Sequence, residues 1–165
     1  MESLYDFLNW AWARHHNPLS WYIRPFFVLP FCYFAYKKSL SGIVISIAAV
    51  ASSMFWFPAP SEVDPRAAAF LAMERFYITA PWTATKWLAT MLIPAWFFGL
   101  AWTFWHRSWI AGLVVLNAGV LLKLIWSFFF GGSTAWSIVP PVAIGLVICN
   151  LSLLLAYRRL APRHG

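Results

Sequence analysis

Apolar residues fall along this chain in long runs separated by short polar breaks, and the runs predict its elements. The first extends from about Leu19 to Tyr36 and stops at Lys37-Lys38, and the second, about 39–57, ends at Pro58-Ala59-Pro60. Three more follow at about 82–105, 109–130 and 136–157, the last two separated by Gly131-Gly132. Each is about 18 residues or longer, enough to cross a hydrocarbon core of roughly 30 Å as a helix. Pro25 and Pro30 in the first run, and Pro94 in the third, predict kinks that free backbone groups for other partners. In the second run the small residues Gly42, Ser46, Ala49 and Ser53 recur every three or four positions, a stripe that invites a close helix neighbour.

Two further segments lie outside the runs. Between Ser3 and Arg14, the residues Leu4, Phe7, Leu8 and Ala11 share one helical face flanked by Trp10 and Trp12, which predicts a short helix lying in the membrane interface. Asn17-Pro18 then breaks the chain. In the hydrophilic connection 58–80, Asp64-Pro65 supplies a capping acid followed by a proline suited to the first helical position. A helix over about 65–78 is expected there, too short and too polar to span. The expected fold is an all-α integral membrane protein, a single domain over residues 1–165 with five transmembrane helices, an N-terminal interfacial helix and an extracytoplasmic helix near 65–78.

Charge orients this arrangement. Lys37-Lys38, Arg107, and the group Arg158, Arg159 and Arg163 fall in the three connections that share one side. The positive-inside rule makes that side cytoplasmic, with the N-terminus outside and the C-terminus inside. The acids Glu2, Asp6, Glu62, Asp64 and Glu74 all fall on the other side. The first 16 residues carry charge and no continuous apolar stretch, so the first span is expected to act as its own insertion signal, without cleavage. The bias fits a bacterial inner membrane.

Composition agrees with the pattern. Of 165 residues, 62% are apolar and 10% charged, against about 25% charged in soluble domains. The 12 Trp and 15 Phe suit membrane–water interfaces. A net charge of +7 could mean nucleic acid, but the cations are scattered at run ends rather than grouped on a soluble face, so nucleic acid is excluded as a partner and anionic lipid is expected instead. Cys32 and Cys149 lie inside apolar runs and read as packing residues.

Few residues have candidate chemistry. Lys123 lies inside the fourth run, roughly 10 Å below its outer boundary at 1.5 Å per residue. A lysine at the centre of a span costs about 2.5–3.5 kcal/mol, so it has either a partner or a route to snorkel. Glu74 is the one carboxylate on an otherwise apolar face of the 65–78 helix, and Lys123, Lys86 or Arg24 could answer it. Arg24, with Trp21 and Tyr22 beside it, could offer a guanidinium to phosphate in the outer leaflet. Trp21 and Trp126 would supply the aromatic rim of such a site. His15-His16 is poorly spaced for one metal, since adjacent helical residues diverge by about 100°. Asn117 and Asn150 fit an interhelical hydrogen bond. No catalytic residue, metal ligand or cofactor is predicted, and no internal repeat is visible.

Three functions remain open on the sequence. One is binding or transport of a lipid-like or amphiphilic ligand through Arg24, Glu74, Lys86, Lys123, Trp21 and Trp126. Another is a non-catalytic accessory or assembly subunit, as a homo-oligomer or with a partner membrane protein, using the stripe on the second run. The third is a lipid-modifying enzyme with Glu74 as acid or base.

Overall fold

The computed structural model of the chain describes residues 2–160, except for the side chain of Glu2. Arg163 and His164 lie outside the described residues. Eight α-helices follow one another without a strand among the described residues: α1 (Glu2–His15), α2 (Leu19–Ile23), α3 (Val28–Tyr36), α4 (Leu40–Ser52), α5 (Pro65–Thr79), α6 (Ala84–Trp105), α7 (Trp109–Gly131) and α8 (Val139–Leu160). Short 3₁₀ turns at Arg24–Phe27, Ser53–Phe55 and Gly132–Ser137 extend α2, α4 and α7.

Among the described residues, three helical stretches are long and apolar enough to cross a membrane: α6, α7 with its 3₁₀ extension, and α8, with mean hydropathies of 1.4, 2.0 and 2.2. Their outward faces carry large apolar side chains such as Leu88, Ile110 and Phe129, at 70%, 72% and 81% exposure. Water would not tolerate so large an apolar surface on a monomer, whereas lipid would. The first two runs are less regular. Pro25 opens a 3₁₀ turn, and residues 19–36 become three consecutive pieces rather than one helix. Helix α4 with its 3₁₀ turn is about 24 Å long at 1.5 Å per residue, shorter than a typical hydrocarbon core. The last helix starts at Val139, not near 136, because Pro140 and Pro141 fit the first turn, where an N–H is not needed. Gly132, at φ +52°, makes the preceding turn.

Local chemistry explains the ends. The Asp64 carboxylate accepts from Arg66 N (2.7 Å) and Ala67 N (3.3 Å), capping α5 as its sequence predicts. The turns leaving α3 and α6 are built alike. Lys38 and Arg107 are left-handed, at φ 56° and 57°. Ser39 N donates to Phe34 O (2.9 Å) and Ser108 N to Thr103 O (2.8 Å), so both helices close in the same motif.

These turns gather at one end of the bundle, where Tyr36 lies 5.3 Å from Trp109 and Trp109 lies 6.1 Å from Tyr157. At the opposite end α5 covers a second core of Trp21, Ala67, Phe70, Leu71, Ala135 and Ile138. We call these the hairpin end and the α5 end. The larger core, with Phe31, Cys32, Leu100, Phe104, Leu116 and Cys149, joins α3, α6, α7 and α8. Cys32 and Cys149 are buried and unpaired, in line with a packing role.

The small-residue stripe on α4 does not face outward. Gly42, Ser46 and Ser53 are buried, and a Cβ on Gly42 would overlap the Phe34 ring of α3. The neighbour that the stripe invites is supplied by the chain itself. The proline in the first run has a comparable partner: Pro25 rests on Gly145 of α8, and Cys149 Sγ donates to Pro25 O at 3.2 Å. Asn117 and Asn150 also pair across α7 and α8. Each amide donates to the other's carbonyl oxygen (2.9 and 3.2 Å) and to its own helix, at Leu113 O and Leu146 O.

Candidate functional site

Charged groups from three elements, α5, α7 and the 3₁₀ turn after α2, converge near the α5 end. Glu74 Oε1 lies 3.7 Å from Lys123 Nζ, and the lysine side chain is 53% exposed against 22% for the glutamate. Lys123 also lies 5.9 Å from the centroid of Trp126, one turn along α7. Arg24 is within Coulombic range of Glu74 but makes no direct bond to it. Its Nε donates instead to Ser53 Oγ (3.3 Å), and its Nη2 lies 3.4 Å from His15 Nδ1. Because a guanidinium only donates, His15 Nδ1 is the acceptor, which fixes the proton of the neutral ring on Nε2.

His15 completes this group and is buried. Burial, reinforced by the charges of Arg24, His16 and Lys123, lowers its pKa from 6.5 to about 3. The ring is therefore neutral at ordinary pH. Ser20 Oγ lies 3.5 Å from the same nitrogen and donates to Asn17 O at 2.8 Å. Arg14 Nε to Phe55 O (2.9 Å) and Asn17 Nδ2 to Pro58 O (3.0 Å) fasten α1 to the segment after α4. One further hydroxyl, Ser127 Oγ, is fully buried one turn from Lys123 and has no partner.

The predicted residues divide between two tasks. Lys86 does not reach Glu74. It is 7% exposed, and its Nζ donates to Ala80 O (2.7 Å) and Ile78 O (3.3 Å) while lying 4.4 Å from the Trp82 ring and 4.9 Å from Tyr77. It ties the end of α5 to the start of α6. Trp21 Nε1 donates to His15 O (3.1 Å), and its ring packs 6.0 Å from Phe70. That leaves Lys123, Glu74 and Trp126 on the open flank, with Tyr77 edge-on to Trp126 at 5.1 Å. Arg24 stands behind them.

Sequence reasoning passed over His15 as a partner of Arg24. The break at Asn17-Pro18 was visible, but not that it folds the chain back. Leu19 N donates to Asn17 Oδ1 (3.0 Å) and Asn17 N to Arg14 O (3.0 Å), a tight reversal that brings position 15 against position 24.

Two cavities accompany this arrangement, and neither is lined by any of the six predicted residues. The first, about 450 Å³, is bounded by Pro65, Arg66 and Ala69 of α5 and by Ser133, Thr134 and Trp136. The second, about 180 Å³, lies at the hairpin end. Against known proteins, the chain matches no family model, no curated protein and no solved structure. Its class is set by its own architecture: an all-helical bundle with three helices able to cross a membrane.

Proposed function

We propose that this is a five-span membrane protein that binds an anionic amphiphile on the flank formed by Lys123, Glu74 and Trp126. The broken segment 19–36 and the short 40–55 would supply the two spans beyond α6, α7 and α8. The arrangement of ends supports this reading, since the connections carrying Lys37-Lys38, Arg107 and Arg158-Arg159 belong to one end of the bundle. That end would face the cytoplasm of a bacterial inner membrane, and the flank would lie in the outer leaflet.

The observation that carries the binding reading is the openness of Lys123. At 3.7 Å, with half its side chain exposed, its ammonium keeps room for a second anion. Glu74 holds it inside the span until one arrives, and Trp126 offers a face to the apolar body of the ligand. Binding is preferred to transport because neither of the two cavities described above reaches these residues. The subunit reading loses one of its supports, since Phe34 of α3 already packs on Gly42 of the α4 stripe.

Native mass spectrometry on protein extracted gently from its own membrane tests the proposal. An anionic lipid or amphiphile should be retained in stoichiometric amount, with one equivalent fewer in Lys123→Met, and held more tightly in Glu74→Gln, which frees the ammonium. Retention that ignores both substitutions would refute it. A stoichiometric second protein with no ligand would restore the subunit reading.

A further inference from the structure

The cavity at the hairpin end has a physical origin. α3 and α8 approach closely where the Pro25 ring sits on Gly145 and Cys149 Sγ reaches Pro25 O. From that notch toward the hairpin end the space between them holds the second cavity. Tyr33 and Tyr36 wall it on α3, Ser152 and Ala156 on α8, and Trp109 at the start of α7. It opens on the bundle surface, because Tyr33 and Leu160, which also line it, are 53% and 50% exposed. At about 180 Å³ it is smaller than the roughly 300 Å³ of an enclosing ligand pocket. It suits part of a chain laid along a groove.

Its mouth is basic. Arg107 lies 5.0 Å over the Tyr36 ring and Lys37 lies 6.0 Å over that of Tyr33, both rings being cavity walls. On the last turn of α8, Arg159 follows the lining residue Ala156 by three positions and shares its face, whereas Arg158 points away from the slot. All four are exposed. No described acid neutralises them, since those lie in α1, the 53–64 segment and α5. An apolar slot with unpaired cations at its mouth, where the outward faces of neighbouring helices require lipid, matches one occupant on both counts.

We propose that the slot between α3 and α8 seats an acyl chain of an anionic phospholipid whose phosphate is met by Arg107 and Arg159. The proposal shares the membrane reading given above but not the Lys123 flank. Each basic residue near an anionic headgroup contributes about 1 kcal/mol. Removing two should lower the preference for an anionic lipid about 30-fold, at 1.4 kcal/mol per tenfold.

The test is native mass spectrometry from mixed micelles holding equal dioleoylphosphatidylglycerol and dioleoylphosphatidylcholine. It is run on the wild type and again on Lys123→Met, so that the other flank is silent in the second set. In both backgrounds phosphatidylglycerol should be retained over phosphatidylcholine. Arg107→Gln/Arg159→Gln should erase the preference, and Ser152→Leu, which fills the slot, should reduce retention of both lipids. The arginines are exposed, so their replacement does not disturb packing, and the result stands even where Ser152→Leu fails to fold. Equal retention of the two lipids in Lys123→Met, or an undiminished preference in the arginine variant, would overturn the proposal. A wild-type preference that vanishes in Lys123→Met alone would assign the lipid to the α5 end instead.

Discussion

Two lysines near one end of the bundle should respond oppositely to the same substitution. Lys86→Met removes a buried ammonium that donates to two backbone carbonyls, Ala80 O and Ile78 O. Hydrogen bonds from a charged donor contribute about 1.5 kcal/mol each at the low end, and cation–π contact with Trp82 and Tyr77 adds about 1 kcal/mol. Relief from burying the charge offsets part of this, leaving a net loss of roughly 2 kcal/mol. For a chain of this size that is about 4–8 °C in Tm. In Lys123→Met the lost ion pair is half exposed and contributes at most about 1 kcal/mol. The lysine's own cost inside a span disappears with it, so stability should hold or rise. Thermal unfolding in nanodiscs, followed by the fluorescence of the 12 tryptophans, measures both. Hydrogen exchange at residues 76–86 should rise only in Lys86→Met. An unchanged Tm in Lys86→Met, or an equal fall in Lys123→Met, would refute the assignment of one lysine to structure and the other to the open flank.

The neutral His15 predicts a pH dependence. Its folded pKa of about 3 lies below the 6.5 of the free side chain, so the unfolded state takes the proton first. The stability it contributes is complete above pH 6.5 and declines as pH falls toward 3. Amide exchange across α1 should rise through that window in the wild type, while His15→Gln, which keeps an acceptor for Arg24, should flatten the profile. A double-mutant cycle on Asn117→Leu and Asn150→Leu should give a coupling of roughly 1.2 kcal/mol, two bonds at about 0.6 each. Additive losses would mean that each amide is satisfied by its own helix alone.

The legibility of the sequence followed the range of the interactions. The Asp64 cap, the long α6 and α7, and the Asn117–Asn150 pair were all readable because run length, turn residues and polar residues inside apolar runs are local signals. Glu74 was readable as a carboxylate in need of a cation, with Lys123 one of three candidates that the sequence could not separate. The contacts of Lys86 and Trp21 were not readable. Backbone carbonyls at Ile78 and Ala80 compete for Lys86, and a sequence does not display unsatisfied carbonyls. The destination of the α4 stripe was hidden for a related reason. Small residues announce that a helix will come close, but not whether it belongs to the same chain.

The fastening of α1 has a consequence for biogenesis. Arg14 meets Phe55, and Asn17 meets Pro58, each across 41 positions. At about 5–20 residues synthesised per second, α1 waits roughly 2–8 s for its dock to be made. During that interval exposed Leu4, Phe7 and Leu8 lack the Phe55 ring against which Phe7 comes to lie. The seat of Pro25 waits longer still, because Cys149 follows it by 124 positions, about 6–25 s of translation. The first apolar run is thus held without its final neighbour until the last helix arrives, and a ribosome stalled after α7 would leave the bundle open along that seam.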